Sequence, residues 1–282
     1  MLKIDPHTHS NHSDGTDTPA QLMRRAADAG LDMVGLTDHD VTTGHSEAAR
    51  EVHAAGVALL RGMEMSCAWQ GITVHLLSYL HDPQDPALVE ASQKVLRSRR
   101  DRAKIMVEKI SQDYPITWED VVEGAGGDVR VVGRPHIADA LIRAGSFSSR
   151  DEAFAQVLHP RGPYYQFLWA EDPVVAVQKV RAAGGVPVIA HPRARARQKV
   201  LPIEVICNMA EAGLAGLEVR HRDNPAEDQE FLLQVARERD LLVTGSSDYH
   251  GTGKPNRLGE NTTPVEVIQE IESQGRLSIL WP

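Results

Sequence analysis

Cysteine is nearly absent from this chain: its 282 residues include only Cys67 and Cys207, and neither belongs to a Cys-x-x-Cys pair. That excludes a disulfide-stapled scaffold and a thiolate zinc site. Long apolar runs are missing too. None approaches the roughly 20 residues that cross a bilayer, and the N-terminus enters an apparent strand without the apolar core of a signal peptide. Excess positive charge is a third absence. With 30 Lys+Arg against 39 Asp+Glu the net charge is -9, which argues against a broad electrostatic grip on duplex nucleic acid but leaves room for a local basic pocket. Internal repeats and low-complexity segments are also lacking. What remains is 41% hydrophobic and 24% charged residues, an ordinary globular composition. The length suits one large α/β domain, or such a domain carrying an insertion. A cytoplasmic enzyme without membrane attachment is the expectation.

Apolar β-type runs alternate with amphipathic helical patterns, the rhythm of an α/β domain with parallel strands. Strands are expected over 2–5, 32–36, 57–61 and 72–79, with helices over 19–29 and 43–55. From 86 to about 112 the sequence suits one long helix, followed by short helical pieces over 117–123 and 135–144. No buried parallel strand is evident between about 100 and 170. The rhythm resumes at Pro173, with strands expected over 186–190, 216–219 and 241–245 among further helices. The expected fold is α/β: a barrel-like arrangement of about seven strands over 1–100 and 171–282, with a mostly helical insertion over 101–170.

The first strand stops at Pro6 and opens into His7-Thr8-His9-Ser10, with Asp14 five residues beyond His9. Strand side chains alternate, so His7 and His9 share a face and can bite one metal ion. His39, Glu64, His191, Asp248 and His250 also fall at or just past expected strand ends, and His75 lies inside its strand. Active sites of parallel α/β barrels form where strands give way to βα loops, so the shared location of these groups is informative. Imidazole with carboxylate and no thiolate suits catalytic Mn, Fe or Zn. Six histidines and three carboxylates exceed what one ion takes, so two or three ions are implied. Asp38 and Asp40, flanking His39, either orient an imidazole or cap the following helix.

His7-Thr8-His9-Ser10, Ser13-Asp14-Gly15, Thr37-Asp38-His39-Asp40, Gly62-Met63-Glu64, His75, Ala190-His191-Pro192 and Gly245-Ser246-Ser247-Asp248-Tyr249-His250 resemble, in order, the motifs of the PHP (polymerase and histidinol phosphatase) family. That resemblance implies a distorted seven-stranded (β/α)7, TIM-like barrel with a trinuclear metal site that hydrolyses phosphate esters. By the same resemblance, His7, His9, Glu64 and Asp248 would hold a first metal. Glu64, His75 and His191 would hold a second, and Asp14, His39 and His250 a third. Manganese is the expected ion, with zinc, iron or magnesium as alternatives. A metal-bridging hydroxide beside Glu64 and Asp248 would attack phosphorus.

The insertion carries the substrate signals. Gly133-Arg134-Pro135-His136 sets an arginine at a proline-started helix, where free N–H groups and a guanidinium fork bind anions; His136 and Arg161 are further substrate candidates. Past the metal motifs come Arg193, Arg195, Arg197 and Lys199, then Arg220-His221-Arg222, then Lys254 and Arg257. Of these, His221 and Lys254 are the expected substrate contacts, with His221 or a metal-bound water the candidate acid. The Arg-rich stretch near residue 100 reads as an exposed face. An Arg-Pro-His-Ile-Ala segment in a helical insert resembles the family's nucleoside 3′,5′-bisphosphate phosphatases. The expected activity is release of the 3′-phosphate, leaving a nucleoside 5′-monophosphate. A 5′→3′ exoribonuclease acting on short RNA is the near alternative, and an amidohydrolase or deaminase the distant one, since those barrels also begin with His-x-His. The expected partner is a small nucleotide or short RNA, with neither duplex nucleic acid nor a membrane.

Overall fold

The computed structural model describes residues 2–282 apart from Arg130, Val131, Arg161, Leu168 and residues 196–198. The chain divides into two compact units, Met1–Ser92 with Glu171–Pro282, and Gln93–Ala170.

The first unit is built on one seven-stranded sheet whose spatial order is the chain order, β1 (Ile4–Thr8), β2 (Met33–Leu36), β3 (Ala58–Trp69), β4 (Ile72–Tyr79), β5 (Val186–Ile189), β6 (Gly216–Arg220) and β7 (Leu242–Gly245). Its helices are α1 (Pro19–Asp28), α2 (His45–Ala55), the start of α3 (Pro86–Ile110), α7 (Pro173–Ala182), α8 (Ile203–Glu211), α9 (Ala226–Glu238) and α10 (Val265–Gln274). Strand alternation assigns the two faces. Met33, Ala58, Leu60, Leu77, Tyr79, Val186 and Val188 join one core cluster, completed by Ile268 and Ile271 of α10. Val34, Leu36 and Leu59 point the other way, into Leu22, Met23, Ala26, Ala48 and Val52 of α1 and α2. Thr18 caps α1 reciprocally with Gln21 ahead of Pro19, the start signal its sequence carries.

The sheet closes toward a barrel through its first and last strands. Thr8 bridges Tyr249, His9 N–H donates to Tyr249 O at 2.8 Å and Asp248 N–H to His7 O at 3.0 Å. Gly35 permits the packing of β2 on β1: a Cβ there would lie 2.0 Å from the Pro6 carbonyl oxygen.

Two features depart from the sequence reading. The strands are not all parallel, because β4 runs antiparallel to both β3 and β5. And β3 does not stop at Arg61; it continues through Glu64 to Trp69, pairing from Gly62 to Trp69 with all of β4. Gln70 and Gly71, both at positive φ (45° and 79°), form the two-residue turn that favours a tight hairpin. Glu64 therefore projects from a strand interior, not from a βα loop, while His75 lies inside its strand as expected.

The second unit holds the rest of α3 with α4 (Trp118–Gly124), α5 (Arg134–Arg143) and α6 (Arg150–Gln156). Met106, Ile110, Val121, Ile137, Leu141 and Leu158 form its own core; each such buried side chain contributes about 1.5–3 kcal/mol. Helix α6 was not expected, yet Ser149 caps it through the Glu152 N–H, and Ser-x-x-Glu is a helix-start signature. No strand occurs among the described residues of this unit, and no described helix is long and apolar enough to cross a membrane.

Candidate metal centre

Every strand of the first unit sends a polar side chain to one buried cluster. His7 comes from β1 and His9 from just past it, His39 from past β2, Glu64 from β3 and His75 from β4. His191 follows β5, Glu218 lies in β6, and Asp248 with His250 follows β7. His7, His9, Glu64 and His250 are fully buried. Three of the turns that aim them are left-handed at non-glycine residues: Asp40 (φ 56°), His191 (φ 30°) and Asp248 (φ 53°). Such conformations cost roughly 1–3 kcal/mol each and persist where surroundings hold them. Here the His191 N–H is gripped by Glu218 Oε2 at 2.8 Å, and the Asp248 N–H by His7 O.

The donor atoms fall into overlapping sets whose members lie within 4.8 Å of one another: His7, His9, Glu64 and Asp248; His39, Glu64 and His75; and His9, Asp14, His39 and His250. Glu64 is the hinge between sets, because its two oxygens face different partners. Oε2 lies 3.4 Å from His7 Nε2, 3.1 Å from His9 Nε2 and 3.1 Å from His39 Nδ1. Oε1 lies 2.9 Å from His75 Nδ1 and 3.2 Å from His191 Nε2. Asp248 Oδ1 sits 3.5 Å from His7 Nε2, 3.3 Å from His9 Nε2 and 3.4 Å from His250 Nδ1. Asp14 Oδ1 approaches His250 Nε2 at 3.1 Å, while its Oδ2 is 3.9 Å from His39 Nε2.

These residues fit divalent ions. Donors about 2.0–2.2 Å from one ion lie about 3–3.5 Å from each other at tetrahedral or octahedral angles, which is the spacing seen. Asp14 Oδ1, Glu64 Oε2, His39 Nδ1, His75 Nδ1 and His250 Nε2 are buried and lack a hydrogen bond of normal geometry among the described residues. Burying such atoms costs about 1–3 kcal/mol each unless something satisfies them. His7 Nε2 and His9 Nε2 are 3.0 Å apart, the separation of two imidazole donors to one ion.

Electrostatics point the same way. Burial alone would push the Glu64, Asp14 and Asp248 carboxyls up, but the surrounding imidazoles and Lys254 overcome it and all three are held well below the usual carboxylate range. For Glu64 those are His39, His75 and His7; for Asp248, Lys254 and His250. Burial, with His9 and Lys254 beside it, pushes His250 down to about 4, and burial also lowers His39. A neutral imidazole is the form that ligates.

Sequence reading missed Glu218. Its buried carboxylate accepts from His7 Nδ1 at 2.9 Å and from the His191 N–H, and Ser246 Oγ donates to it as well. Burial opposes its charge, but His7 wins and holds it at about 2, while His7 is raised by Glu218 and Glu64 despite its own burial. With Nδ1–H committed to Glu218, the His7 Nε2 lone pair faces the cluster, the arrangement of metal-binding histidines backed by a carboxylate. In the sequence Glu218 sits inside an apolar strand, Gly216-Leu217-Glu218-Val219, where a lone carboxylate was itself the signal. Asp38 and Asp40 have roles other than those weighed for them. Asp38 accepts from Ser10 N–H, Ser10 Oγ and Ser13 Oγ, fixing the loop between His9 and Asp14. Asp40 accepts from Ser66 N–H and Oγ, fixing β3.

The remaining candidates scatter. His221 joins the cluster, its Nε2 3.8 Å from Asp248 Oδ2, and Lys254 Nζ lies 2.8 Å from the same oxygen. Arg195 and Arg222 do not line the cluster as substrate cations: each pairs bidentately with a carboxylate, Asp228 and Glu260 respectively. Arg193 lies over Phe231. In the second unit His136 Nδ1 accepts from the Gly133 N–H and so closes the start of α5. Arg134 donates to Leu158 O at 3.3 Å and lies beside Arg102 and Arg99. Arg161 and Arg197 lie outside the described residues.

Comparison with known proteins follows the same lines. Residues 5–141 match the PHP domain profile. The chain is 32% identical, over all of its length and 99% of the relative's, to a 3′,5′-nucleoside bisphosphate phosphatase of Chromobacterium violaceum. It is 29% identical to a 5′-3′ exoribonuclease of Haemophilus influenzae, over 94% of the chain and 96% of the relative. A crystal structure described as a candidate metal-dependent phosphoesterase from Bifidobacterium adolescentis superposes with a TM-score of 0.94 at 41% identity, covering 97% of this chain and 96% of that one.

Proposed function

The chain belongs to the PHP family of metal-dependent phosphoesterases, hydrolases of phosphoester bonds, and from that membership we propose that it removes the 3′-phosphate of nucleoside 3′,5′-bisphosphates. The observation that carries the phosphoester chemistry is the double-facing Glu64, which supports adjacent ions bridged by one carboxylate. His7, His9, Glu64 and Asp248 would hold one ion; Glu64, His75 and His191 a second; Asp14, His39 and His250 a third, with His9 also at its edge. Manganese suits this imidazole–carboxylate set. Divalent ions held by these residues would lower the pKa of water and neutralise phosphoryl charge.

The protein's own groups divide the remaining work. Asp223 N–H donates to His221 Nδ1 at 3.1 Å, so the neutral ring carries its proton on Nε2, the nitrogen turned toward Asp248. That proton is the one available to the leaving ribose oxygen, which makes His221 the general acid. Lys254 Nζ, beside Asp248, adds positive charge where phosphate oxygens would gather.

Arginine candidates for phosphate binding lie in the second unit. Arg134, with Arg99 and Arg102 beside it, is a group of guanidinium ions suited to a second phosphate. The bisphosphate phosphatase relative supports this reading; the exoribonuclease relative favours 5′→3′ shortening of RNA as the second. A phosphate-release screen of the manganese-loaded protein across mono- and bisphosphonucleotides and short RNA tests it. The expected result is the highest kcat/KM on 3′,5′-bisphosphates, with one phosphate per 5′-monophosphate formed. Comparable kcat/KM for shortening oligoribonucleotides would transfer the assignment to the exonuclease. Ammonia release from amides or nucleobases, with no phosphate from any ester, would end both readings.

A further inference from the structure

His221 heads a turn that follows β6, and the residue closing that turn, Asn224, is buried and bonded on every side. The Asn224 N–H donates to His221 O at 3.1 Å, completing a β-turn over 221–224. The Asn224 backbone carbonyl accepts from Gln229 Nε2 of α9 at 2.9 Å. Both ends of the side-chain amide are used as well. Strand β5 pairs with β6 only as far as Leu217. Beyond that point Asn224 Nδ2 donates to Glu218 O at 2.9 Å and to Val219 O at 3.0 Å. Asn224 Oδ1 accepts the Arg193 N–H at 3.0 Å. One side chain thus ties the turn after β6 to the loop after β5, two residues past His191.

We propose that Asn224 is a positioning residue for the hydrolytic step: it fixes the 221–224 turn so that His221 Nε2 is aimed at the leaving oxygen of the ester.

This role rests on the assignment of His221 as general acid and says what holds that ring in place. The Asp223 N–H, 3.1 Å from His221 Nδ1, commits that nitrogen as an acceptor and leaves the proton on Nε2. Nε2 lies 3.8 Å from Asp248 Oδ2, and the ring stands 5.2 Å from that of His191. The Asp223 N–H keeps its aim because the turn is pinned at both ends, by Asn224 and by the His221 N–H on Val219 O at 3.1 Å. Asn224 is itself 2% exposed, so it acts through His221 and not on substrate. In the step it serves, a hydroxide oxygen bonds to phosphorus and the bond from phosphorus to the ribose oxygen breaks. The ribose oxygen takes the Nε2 proton, and the ring regains one from water. Such a proton donor is worth about 10²–10⁴-fold, and a misplacement of about 1 Å can cost roughly 10²-fold. A p-nitrophenyl ester leaves as a stable phenolate and does not need the proton. A defect in Asn224 therefore separates the two esters, which a residue that only holds the fold together would not do. Shortening RNA to 5′-monophosphates would expel the same ribose oxygen, so the inference stands whichever nucleotide ester is cleaved.

The test compares kcat of the manganese-loaded protein on p-nitrophenyl phosphate with kcat on a nucleoside 3′,5′-bisphosphate, or on short RNA should that be the better substrate. Bound ions are counted and the thermal midpoint is recorded for every variant. Asn224→Ser, which deletes the amide, should lower kcat on the nucleotide ester about 10- to 100-fold with KM within about twofold. On the aryl ester its kcat should stay within about threefold of wild type. His221→Gln should show the same selectivity, and adding Asn224→Ser to it should cost less than about twofold more, since the two residues act as a unit. Gln229→Ala withdraws one bond from Asn224 at a half-buried position on α9. It should lower the ratio of nucleotide to aryl turnover by about twofold or more, and it is the deciding variant if Asn224→Ser does not fold. Equal losses on both esters from Asn224→Ser, or additive losses in the double variant, overturn the proposal; so does an unchanged ratio in Gln229→Ala when Asn224→Ser does not fold. Equal losses from His221→Gln are a different failure: they remove the acid assignment and the positioning role with it. A selective His221→Gln beside an unselective Asn224→Ser strikes the positioning role alone.

Discussion

Replacing Glu218 with glutamine removes one charge and exchanges one oxygen for an NH2 group at nearly constant volume. In the native protein both carboxylate oxygens are spoken for, Oε1 by His7 Nδ1 at 2.9 Å and by Ser246, Oε2 by the His191 N–H at 2.8 Å. An amide cannot meet both demands. With its NH2 toward His7, Nδ1 must accept, the proton moves to Nε2, and the lone pair that faces the cluster is lost. With its NH2 toward His191, two donors confront each other at a turn already held at φ 30°. Either way one ligand to an ion is misplaced. Losses of this kind typically cost about 10- to 100-fold in metal affinity, or about 1.4–2.7 kcal/mol. The assay strips the protein with chelator, returns manganese against a competing indicator, and counts bound ions by elemental analysis. Circular dichroism and the thermal midpoint verify that the variant folds. A folded Glu218→Gln protein that binds the full complement of ions within about twofold of wild-type affinity would refute the reasoning.

Three further outcomes follow from the structure. Arg134→Ala should reduce kcat/KM for a 3′,5′-bisphosphate by about tenfold or more, from loss of a charge-assisted contact of roughly 1.5–3 kcal/mol, yet spare a simple phosphomonoester; equal losses on both would remove its assigned role. Buried His81, whose Nδ1 is 2.9 Å from Ser78 Oγ, is pushed down by burial to about 4. The unfolded chain protonates it near 6.5, so its contribution to stability is complete above that pH and fades as pH falls toward 4. The size is about 3 kcal/mol across the window. Urea unfolding from pH 7 to 4 should therefore show a shallower acid loss for His81→Asn than for wild type, and parallel curves would contradict this. Gly35→Ala would drive a methyl group into the Pro6 carbonyl, one residue before His7. Overpacking of this kind costs about 1–3 kcal/mol, and both the thermal midpoint and manganese affinity should fall.

The side chains that meet in the buried cluster were the most legible part of the molecule, because most stand at a break in an apolar run and short polar motifs at strand ends have few structural uses. His75 was expected inside its strand and lies there, whereas Glu64 was expected at the end of its strand and lies within β3. The strand before Glu64 was expected to stop at residue 61, whereas antiparallel pairing with β4 carries it straight through. Parallel order was inferred from alternating helices and strands, and the Gln70-Gly71 turn, whose two positive φ values define the hairpin, went unread. Glu218 was hidden by its own burial: a carboxylate inside an apolar strand becomes intelligible only when its partner, 211 residues away in sequence, is found. The cationic candidates fared worst. Whether Arg195 or Arg222 meets substrate or a carboxylate depends on Asp228 and Glu260, whose positions no local pattern encodes. The arginines near residue 100 were read as a solvated face, yet Arg102 is only 8% exposed.

The contact between the first and last strands has a consequence for how the protein is made. His7 and Asp248 lie 3.5 Å apart but 241 residues apart along the chain, and the bonds joining Thr8 and His9 to Tyr249 are what bring them together. A ribosome emits the histidines of β1 first and the motif after β7 near the end of this sequence. Throughout that interval the nascent polypeptide carries its earliest ligands without the carboxylate that completes their set. Hydrolytic competence therefore arrives late and abruptly, when β7 docks beside β1. A product truncated before residue 246 would be expected to retain much of its hydrophobic interior while being inert toward phosphate esters.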